Sequence, residues 1–331
     1  MIAGLTAART LALCLLLAAP PAMASAETVC PTLRWTTLGT AGGPVGTPER
    51  SEPANMLEAG DRTVLVDTGD GTAQQLTRIG VPLGRISAIF ISHHHMDHTA
   101  GLAAVIGLRW MNDFPGTLTI YGPPGTREMV DGVLQTMMPQ SRIGPGGGFP
   151  LKPPAGTVTV VEIKGGDTVT LGDLTVRTVE NSHFSYPGSK APLAGQSLSL
   201  RFDWGGRSIG YTGDTGPSDA ADVLFQASDM LVSEVVEPDR LIAAIASQRG
   251  PDAARFLPAL RDHMITHHLT GEQVGLMASK AKVGQVVLTH FAVPPGPFEP
   301  SEKSILAGIA MHYAGKVDVA SDLSRFEVKC R

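Results

Sequence analysis

At 331 residues, with 43% hydrophobic and 17% charged side chains, the chain is long enough for one large or two ordinary domains and too apolar for an intrinsically disordered protein. Its formal net charge of −5 has the wrong sign for a chain that grips nucleic acid through a basic stripe, because that affinity comes from counterion release by Lys and Arg.

Residues 1–26 stand apart in composition. A lone Arg9 precedes the apolar run from Leu11 to Ala19, and Ala24-Ser25-Ala26 offers a small-x-small cleavage site before Glu27. This pattern predicts a secretory signal peptide: the run is short for a bilayer span, and Leu13 is too bulky before Cys14 for a lipobox. The expectation is a mature chain of residues 27–331, a single domain, periplasmic or secreted, with no membrane span after cleavage. Loss of Arg9 takes the net charge from −5 to −6. Cys30 and Cys330 are then the remaining cysteines, and in an oxidising compartment two thiols without a competitor predict a disulfide joining the ends of the chain.

Leu33 to Leu38 predicts the first strand, with Gly39-Thr40-Ala41-Gly42-Gly43-Pro44 as a tight loop after it. Ala54 to Leu57 and Thr63 to Val66 are two more strand-like runs, the second leading into Asp67-Thr68-Gly69-Asp70-Gly71 before a helix over Thr72 to Ile79. Asp67 reads equally well as a carboxylate that orients a ligand histidine and as an ordinary turn or capping aspartate. The apolar run Ile86 to Ile91 delivers Ser92-His93-His94-His95-Met96-Asp97-His98, and a helix follows to Met111. Thr117 to Tyr121 predicts a strand and Arg127 to Met138 a helix. Gly144 to Gly156 is too rich in Gly and Pro for either; it reads as a loop near the site or as a surface insertion, with the first favoured slightly.

From Thr157 the pattern is β-rich again. Val158 to Ile163, Thr168 to Leu171 and Leu174 to Val179 are short alternating runs, the last followed by Glu180-Asn181-Ser182-His183. Ser197 to Asp203 and Arg207 to Tyr211 read as a hairpin whose second strand delivers Thr212-Gly213-Asp214. A helix over Ala220 to Ala227 and a strand over Met230 to Ser233 precede Glu234. Helical patterns then fill Arg240 to Ser247, Asp252 to Met264 and Gly271 to Ala281, and a buried strand from Gln285 to Thr289 ends at His290.

The recurrence matters more than any single residue: clusters at His93, His183, Asp214 and His290 each follow a β-rich apolar run, and strand ends gather along one edge of a sheet in layered α/β folds. In an extended segment His93 and His95 face the same way, while Asp97 and His98 sit where the run gives way to helix. His93, His95 and His183 can thus serve one metal ion, Asp97, His98 and His290 a second, and Asp214 can bridge them through its two oxygens. Imidazole with carboxylate weights the choice toward two zinc ions, with Mn2+ or Fe2+ open to the same ligand set.

These residues resemble the metallo-β-lactamase superfamily, and within it the branch that holds ribonuclease Z, arylsulfatase-like enzymes and class II cyclic-nucleotide phosphodiesterase-like enzymes. The likeness spans most of the mature chain, through Leu38 to Gly43, Val66 to Thr72, His93-x-His95-x-Asp97-His98, His183, Tyr211 to Thr215, His268-Leu269-Thr270 and Leu288 to Phe291. It implies an αββα four-layer sandwich with two central mixed sheets, and a dinuclear zinc site held by His93, His95, Asp97, His98, His183, Asp214 and His290. It also points to His268, with Glu234, as the group that protonates the leaving oxygen, although on the residues alone His267 is an equal candidate. His94, His263 and His312 have no such support and are expected to be structural or solvent-facing.

Two ions roughly 3.5–4 Å apart would supply a bridging hydroxide at neutral pH, so the expected activity is that of a metal-dependent hydrolase. Small phosphodiesters are the expected substrates; lactones, aryl sulfates and other esters are the alternative, and a non-catalytic metal- or ligand-binding protein is the reading from another class. Ribonuclease Z continues after its last ligand with a serine and an Arg-Tyr pair, whereas here Phe291 is followed by Ala292-Val293-Pro294, and no long basic arm for tRNA is present. A homodimer stays open.

Overall fold

Sequence periodicity of two, with apolar side chains on both faces, calls for a sheet covered on both sides, and that is what the chain builds. The computed structural model describes residue 1 and residues 31–43, 47–144, 151–185, 195–250 and 255–330. Among these, β1 (Leu33–Gly39), β2 (Ala54–Ala59), β3 (Arg62–Thr68), β4 (Ala88–Phe90), β5 (Leu118–Gly122) and β6 (Val158–Glu162) form one sheet with β14 (Arg325–Glu327) at its edge, in the order 14-1-2-3-4-5-6. The second holds β7 (Thr168–Leu171), β8 (Leu174–Glu180), β9 (Leu198–Trp204), β10 (Arg207–Tyr211), β11 (Met230–Val236), β12 (Gln285–Ala292) and β13 (Lys316–Val319), in the order 13-12-11-10-9-8-7. Both are mixed: β1, β2 and β3 pair antiparallel while β3 to β6 run parallel, and β9 pairs antiparallel with β10 while β10 to β13 run parallel.

Three apolar clusters account for the layering. Trp35, Val64, Val66 and Phe90 of the first sheet interlock with Val176, Phe202, Tyr211, Val232 and Val287 of the second. On its outer face the first sheet buries Met56, Leu65, Ile89 and Ile120 against α1 (Thr72–Arg78), α3 (Leu102–Met111) and α4 (Thr126–Thr136); the short α2 (Met96–Thr99) and α5 (Met138–Ile143) flank them. The second sheet packs Leu231, Val286 and Leu288 against α6 (Asp219–Leu224), α9 (Gly271–Ala281) and α10 (Glu299–Ala310). Val64 and Val66 face inward while Leu65 faces outward, as a pleat of period two requires. The result is the expected αββα sandwich, and each fully buried Leu or Phe side chain contributes about 1.5–3 kcal/mol of hydrophobic transfer to it.

Several boundaries differ from the sequence expectation. The run Ile86 to Ile91 yields a strand of only three residues, because Ile91 N bonds to Tyr121 O outside the ladder and Ser92 N bonds to the Asp67 carboxylate. The helix expected from Thr99 is two helices broken at Gly101, and α4 stops at Thr136 with α5 beginning at Met138. α7 (Pro238–Arg249) extends past both ends of the helix expected over Arg240 to Ser247, and α8 (Leu257–His267) begins and ends later than the one expected over Asp252 to Met264. Residues 151–156, expected beside the site, lie elsewhere. They lead into Val158, which is level with Leu118 at the start of β5, and Lys152 O accepts Trp110 Nε1 on the outer helix α3 at 2.8 Å. Because β4, β5 and β6 run parallel, that end of the sheet is opposite the one where His93 emerges; residues 145–150 lie outside the described residues.

By contacts the chain divides into Met1–Cys30 and Pro31–Arg331. The expected signal peptide and Cys30 also lie outside the described residues, apart from Met1. Among the described residues no helix is long and apolar enough to cross a membrane.

Candidate metal centre

Four strands deliver the seven proposed ligands to one edge of the sandwich. After β4 the chain leaves the sheet at Ser92, so His93 and His95 precede α2, and Asp97 and His98 ride its first turn with His95 at the N-cap. His183 follows β8 through Asn181, whose Oδ1 accepts His183 N at 3.1 Å. Asp214 follows β10. His290 and Glu234 depart from expectation: both lie within assigned strands rather than after them, where the β11 and β12 register shifts between Ser233 and Val235. A bulge re-aims side chains without ending the ladder, which is how one strand can both continue and supply a site residue. His290 adopts φ 46 and Asp67 φ 58, left-handed values that cost a non-glycine residue about 1–3 kcal/mol each and so mark positions held by their surroundings.

The side chains fall into two groups that share Asp214. His93, His95, His183 and Asp214 offer ligand atoms all within 4.8 Å of one another, and so do Asp97, His98, Asp214 and His290. Asp214 Oδ1 lies 3.2 Å from both His98 Nε2 and His290 Nε2, and its Oδ2 lies 3.8 Å from His93 Nε2. His183 Nε2 and His95 Nδ1 are 3.3 Å apart. Bonds of 2.0–2.1 Å at tetrahedral angles put neighbouring ligand atoms ~3.3 Å apart, so these separations fit donors around a common ion. Buried His93 Nε2, His98 Nε2, His290 Nε2 and Asp214 Oδ1 have no hydrogen-bond partner among the described residues. Groups buried in this way cost about 1–3 kcal/mol each unless something satisfies them, and a divalent cation would satisfy all of them at once.

Burial is the largest influence on each imidazole here and pushes it down. It prevails at His93, held well below its ordinary value, at His95, and at His183, pushed down to about 3. At His98 and His290 the neighbouring carboxylates together outweigh it, Asp214 foremost, with Asp67 at His98 and Asp97 and Glu234 at His290: His98 is raised to about 10 and His290 well above its ordinary value. Burial pushes Asp214 and Asp97 up, but His290 and His98 outweigh it, leaving Asp214 well below the carboxylate range and Asp97 at about 2. The second group therefore draws positive charge strongly, a demand that a divalent ion meets with neutral imidazole as its ligand.

Behind the groups, His268 Nδ1 lies 2.7 Å from Glu234 Oε2 and 3.9 Å from Asp214 Oδ2. Burial lowers His268, yet Glu234 reverses this and raises it; burial raises Glu234 against the pull of His268. His267 turns away, with Nδ1 3.1 Å from Ser182 O, and its own carbonyl accepts His183 Nδ1 at 2.9 Å. His94 sits against Thr126 Oγ1 at 2.9 Å, outside both groups, and His312 pairs with Glu272 near the surface. His263 is closer to the centre than expected, its ring 5.4 Å from that of His268 and 6.1 Å from that of His183.

The sequence pattern of the β-lactamase superfamily domain matches residues 62–291, which contain all seven proposed ligands together with Glu234 and His268. The chain belongs to the β-lactamase superfamily. Within it the chain falls in the ribonuclease Z-like branch of the metallo-β-lactamase fold. It is 31% identical to a ribonuclease Z of Mycobacterium bovis (strain BCG / Pasteur 1173P2) over 304 residues, covering 90% of this chain and 99% of that one. Among solved structures, a metallo-β-lactamase-fold protein of Bacillus subtilis superposes with a TM-score of 0.64 at 19% identity, over 90% of this chain and 100% of that one. A diphosphatase of the PhnP family superposes with a TM-score of 0.60 at 18% identity, over 90% and 98%. As a member of this branch the protein is a metal-dependent hydrolase, and its His/Asp cluster is compatible with a divalent metal site.

Two parts of this superfamily site were not singled out from the sequence. Phe184 places its ring 4.7 to 5.7 Å from those of His183, His95 and His93, and its position directly after His183 was the available signal. Ser92 and Tyr211 both reach Asp67, and each borders a motif that was read, without carrying a ligand type of its own.

Proposed function

We propose that the protein is an exported dinuclear zinc phosphodiesterase acting on small phosphodiesters. The observation that carries the dinuclear reading is the placement of Asp214, with one oxygen toward His98 and His290 and the other toward His93. When bound, two divalent ions would supply Lewis-acid stabilisation of developing negative charge and water activated for attack at neutral pH.

The chain's own residues define the rest. Glu234 Oε1 accepts Thr215 N, which fixes the carboxylate, and Oε2 accepts His268 Nδ1–H, which fixes the imidazole. That bond leaves Nε2 as the ring position that can carry a transferable proton, and the raised affinity of His268 for protons suits it to protonate a departing alkoxide. Asp97 is held ionised between His98 and His290, each with Nε2 3.6 Å from its Oδ2, and keeps negative charge on that side of the site. Arg50 rests against the adjoining rings of Phe291 and Phe298, so the segment after His290 is filled by packing and differs from the Arg-Tyr ending of ribonuclease Z.

Small substrates are favoured over tRNA by the acidic chain and the lack of a basic arm, and the fold is one that a diphosphatase also uses. Export rests on the sequence of residues 1–26, and the crosslink between Cys30 and Cys330 follows from it. The deciding experiment compares kcat/KM for bis-nitrophenyl phosphate, a cyclic nucleotide, an aryl sulfate, an acyl lactone and a β-lactam on one zinc-loaded preparation. A lactone or lactam turned over orders of magnitude faster than both phosphodiesters would refute the substrate assignment and leave the metallohydrolase standing.

A further inference from the structure

Asp67 is completely buried and accepts more hydrogen bonds than any one ligand needs. Its Oδ1 takes Ser92 N at 2.7 Å. Its Oδ2 takes the Ser92 hydroxyl at 2.8 Å and the Tyr211 hydroxyl at 2.7 Å, and lies 2.8 Å from His98 Nδ1. An ionised carboxylate only accepts, so the proton of neutral His98 must be on Nδ1, leaving the Nε2 lone pair toward Asp97 and Asp214. The same logic extends one atom further. Ser92 Oγ has given its hydrogen to Asp67 and has only lone pairs left for His93 Nδ1, 3.0 Å away. That contact is therefore His93 Nδ1–H donating to Ser92 Oγ, which again frees Nε2.

Tyr211 enters from the other side. It ends β10 in the second sheet, whereas Asp67 belongs to β3 in the first, so the hydroxyl bonds across the sandwich directly beneath the metal centre. Its ring is buried and rests 5.5 Å from that of Trp35, which fixes where the hydroxyl can reach. Gly213 leaves only 3.1 Å between a Cβ at that position and Ser92 Cβ, so Ser92 is confined as well.

We infer that Ser92 and Tyr211, both bonded to Asp67, are positioning residues for different halves of the centre, Ser92 through its own bond to His93 and Tyr211 through Asp67. Ser92 sets the tautomer of His93 in the group with His95 and His183. Tyr211 holds Asp67 against His98 in the group with Asp97 and His290. This rests on reading His93 and His98 as ligands of separate ions, and outer partners of ligand histidines typically change metal affinity 10–100-fold.

The test uses Ser92→Ala and Tyr211→Phe, each removing one hydroxyl and little else, on the mature chain stripped of metal and titrated with Zn2+ against a chromophoric chelator. Imidazole 15N shifts are followed in parallel, assigned through His93→Gln and His98→Gln. Each variant should keep one ion at wild-type affinity and bind the other roughly 10–100-fold more weakly. Ser92→Ala should release His93 from the Nδ1–H tautomer while His98 keeps it, and Tyr211→Phe should disturb His98 and spare His93. Wild-type affinities and tautomers in both variants would overturn the inference, as would equal weakening of both ions, which is what a purely structural role predicts. A wild-type chain that takes up fewer than two ions would instead overturn the ligand reading, and this inference with it.

Discussion

Truncating His268 to alanine should affect rate and stability through two separable routes. General acid catalysis is worth about 10²–10⁴-fold, or about 2.7–5.5 kcal/mol of barrier, and only where the leaving group needs a proton. A cyclic nucleotide, with an alkoxide to expel, should lose that much in kcat/KM under His268→Ala. Bis-nitrophenyl phosphate expels a stable phenolate and should lose less than about tenfold. The stability cost comes from Glu234, which is 1% exposed and loses the partner 2.7 Å from its Oε2. Stranding one member of a buried pair costs about 3–5 kcal/mol, and the low end applies here because burial already pushes Glu234 toward its neutral form. Adding Glu234→Gln to His268→Ala should therefore recover stability without recovering rate. Urea midpoints and kcat/KM on both substrates, for wild type and the two variants, check this. Equal losses on the two substrates would show that His268 is not the proton donor.

Asp214→Ala should leave a folded chain that holds fewer than two ions by elemental analysis and has lost most activity; undiminished metal content would rule out the bridge. At Gly43 a Cβ would stand 2.2 Å from Asp97 Oδ2 and 2.4 Å from its Cβ, so Gly43→Ala should displace Asp97 and weaken one ion selectively in chelator competition. Zinc-stripped wild type should be inactive and regain activity on zinc addition, and activity indifferent to chelators would refute the metal requirement. Exported protein should begin at Glu27 and show Cys30 joined to Cys330 in non-reducing peptide maps, a closure worth up to about 5 kcal/mol; two freely alkylated thiols would rule the crosslink out.

The layered architecture was legible because each strand carries its own evidence. Val64 to Val66 and Gln285 to Leu288 are β-branched, apolar runs bounded by turn residues, and both become central strands. What lies beyond His290 was not read: α10, β13 and β14 carry weaker patterns, and β14 is a three-residue edge strand whose place beside β1 depends on a partner nearly three hundred residues away in sequence. The seven ligand types were legible because metal chemistry restricts which side chains can serve. Residues that act on those ligands use ordinary hydroxyls, as Ser92 and Tyr211 do, and a hydroxyl has no signature until its neighbour is known.

Composition, period and ligand type are local properties, so the chain by itself determined which runs would be strands and that histidines and aspartates would follow them, while the two-sheet sandwich was implied by the family resemblance. Pairing and orientation are not local. Whether His267 or His268 faces the centre depends on which way α8 ends against Glu234 and Ser182, each contributed by a different strand or loop. That Asp67 meets His98, rather than capping a turn, depends on Ser92, His98 and Tyr211 arriving from two sheets at one carboxylate. The segment 151–156 was misplaced for the same reason, since only the parallel register of β5 and β6 sets which end of the sheet it enters. Such contacts join residues far apart in the chain, and their energies enter only once burial has removed the water that would otherwise satisfy each group alone.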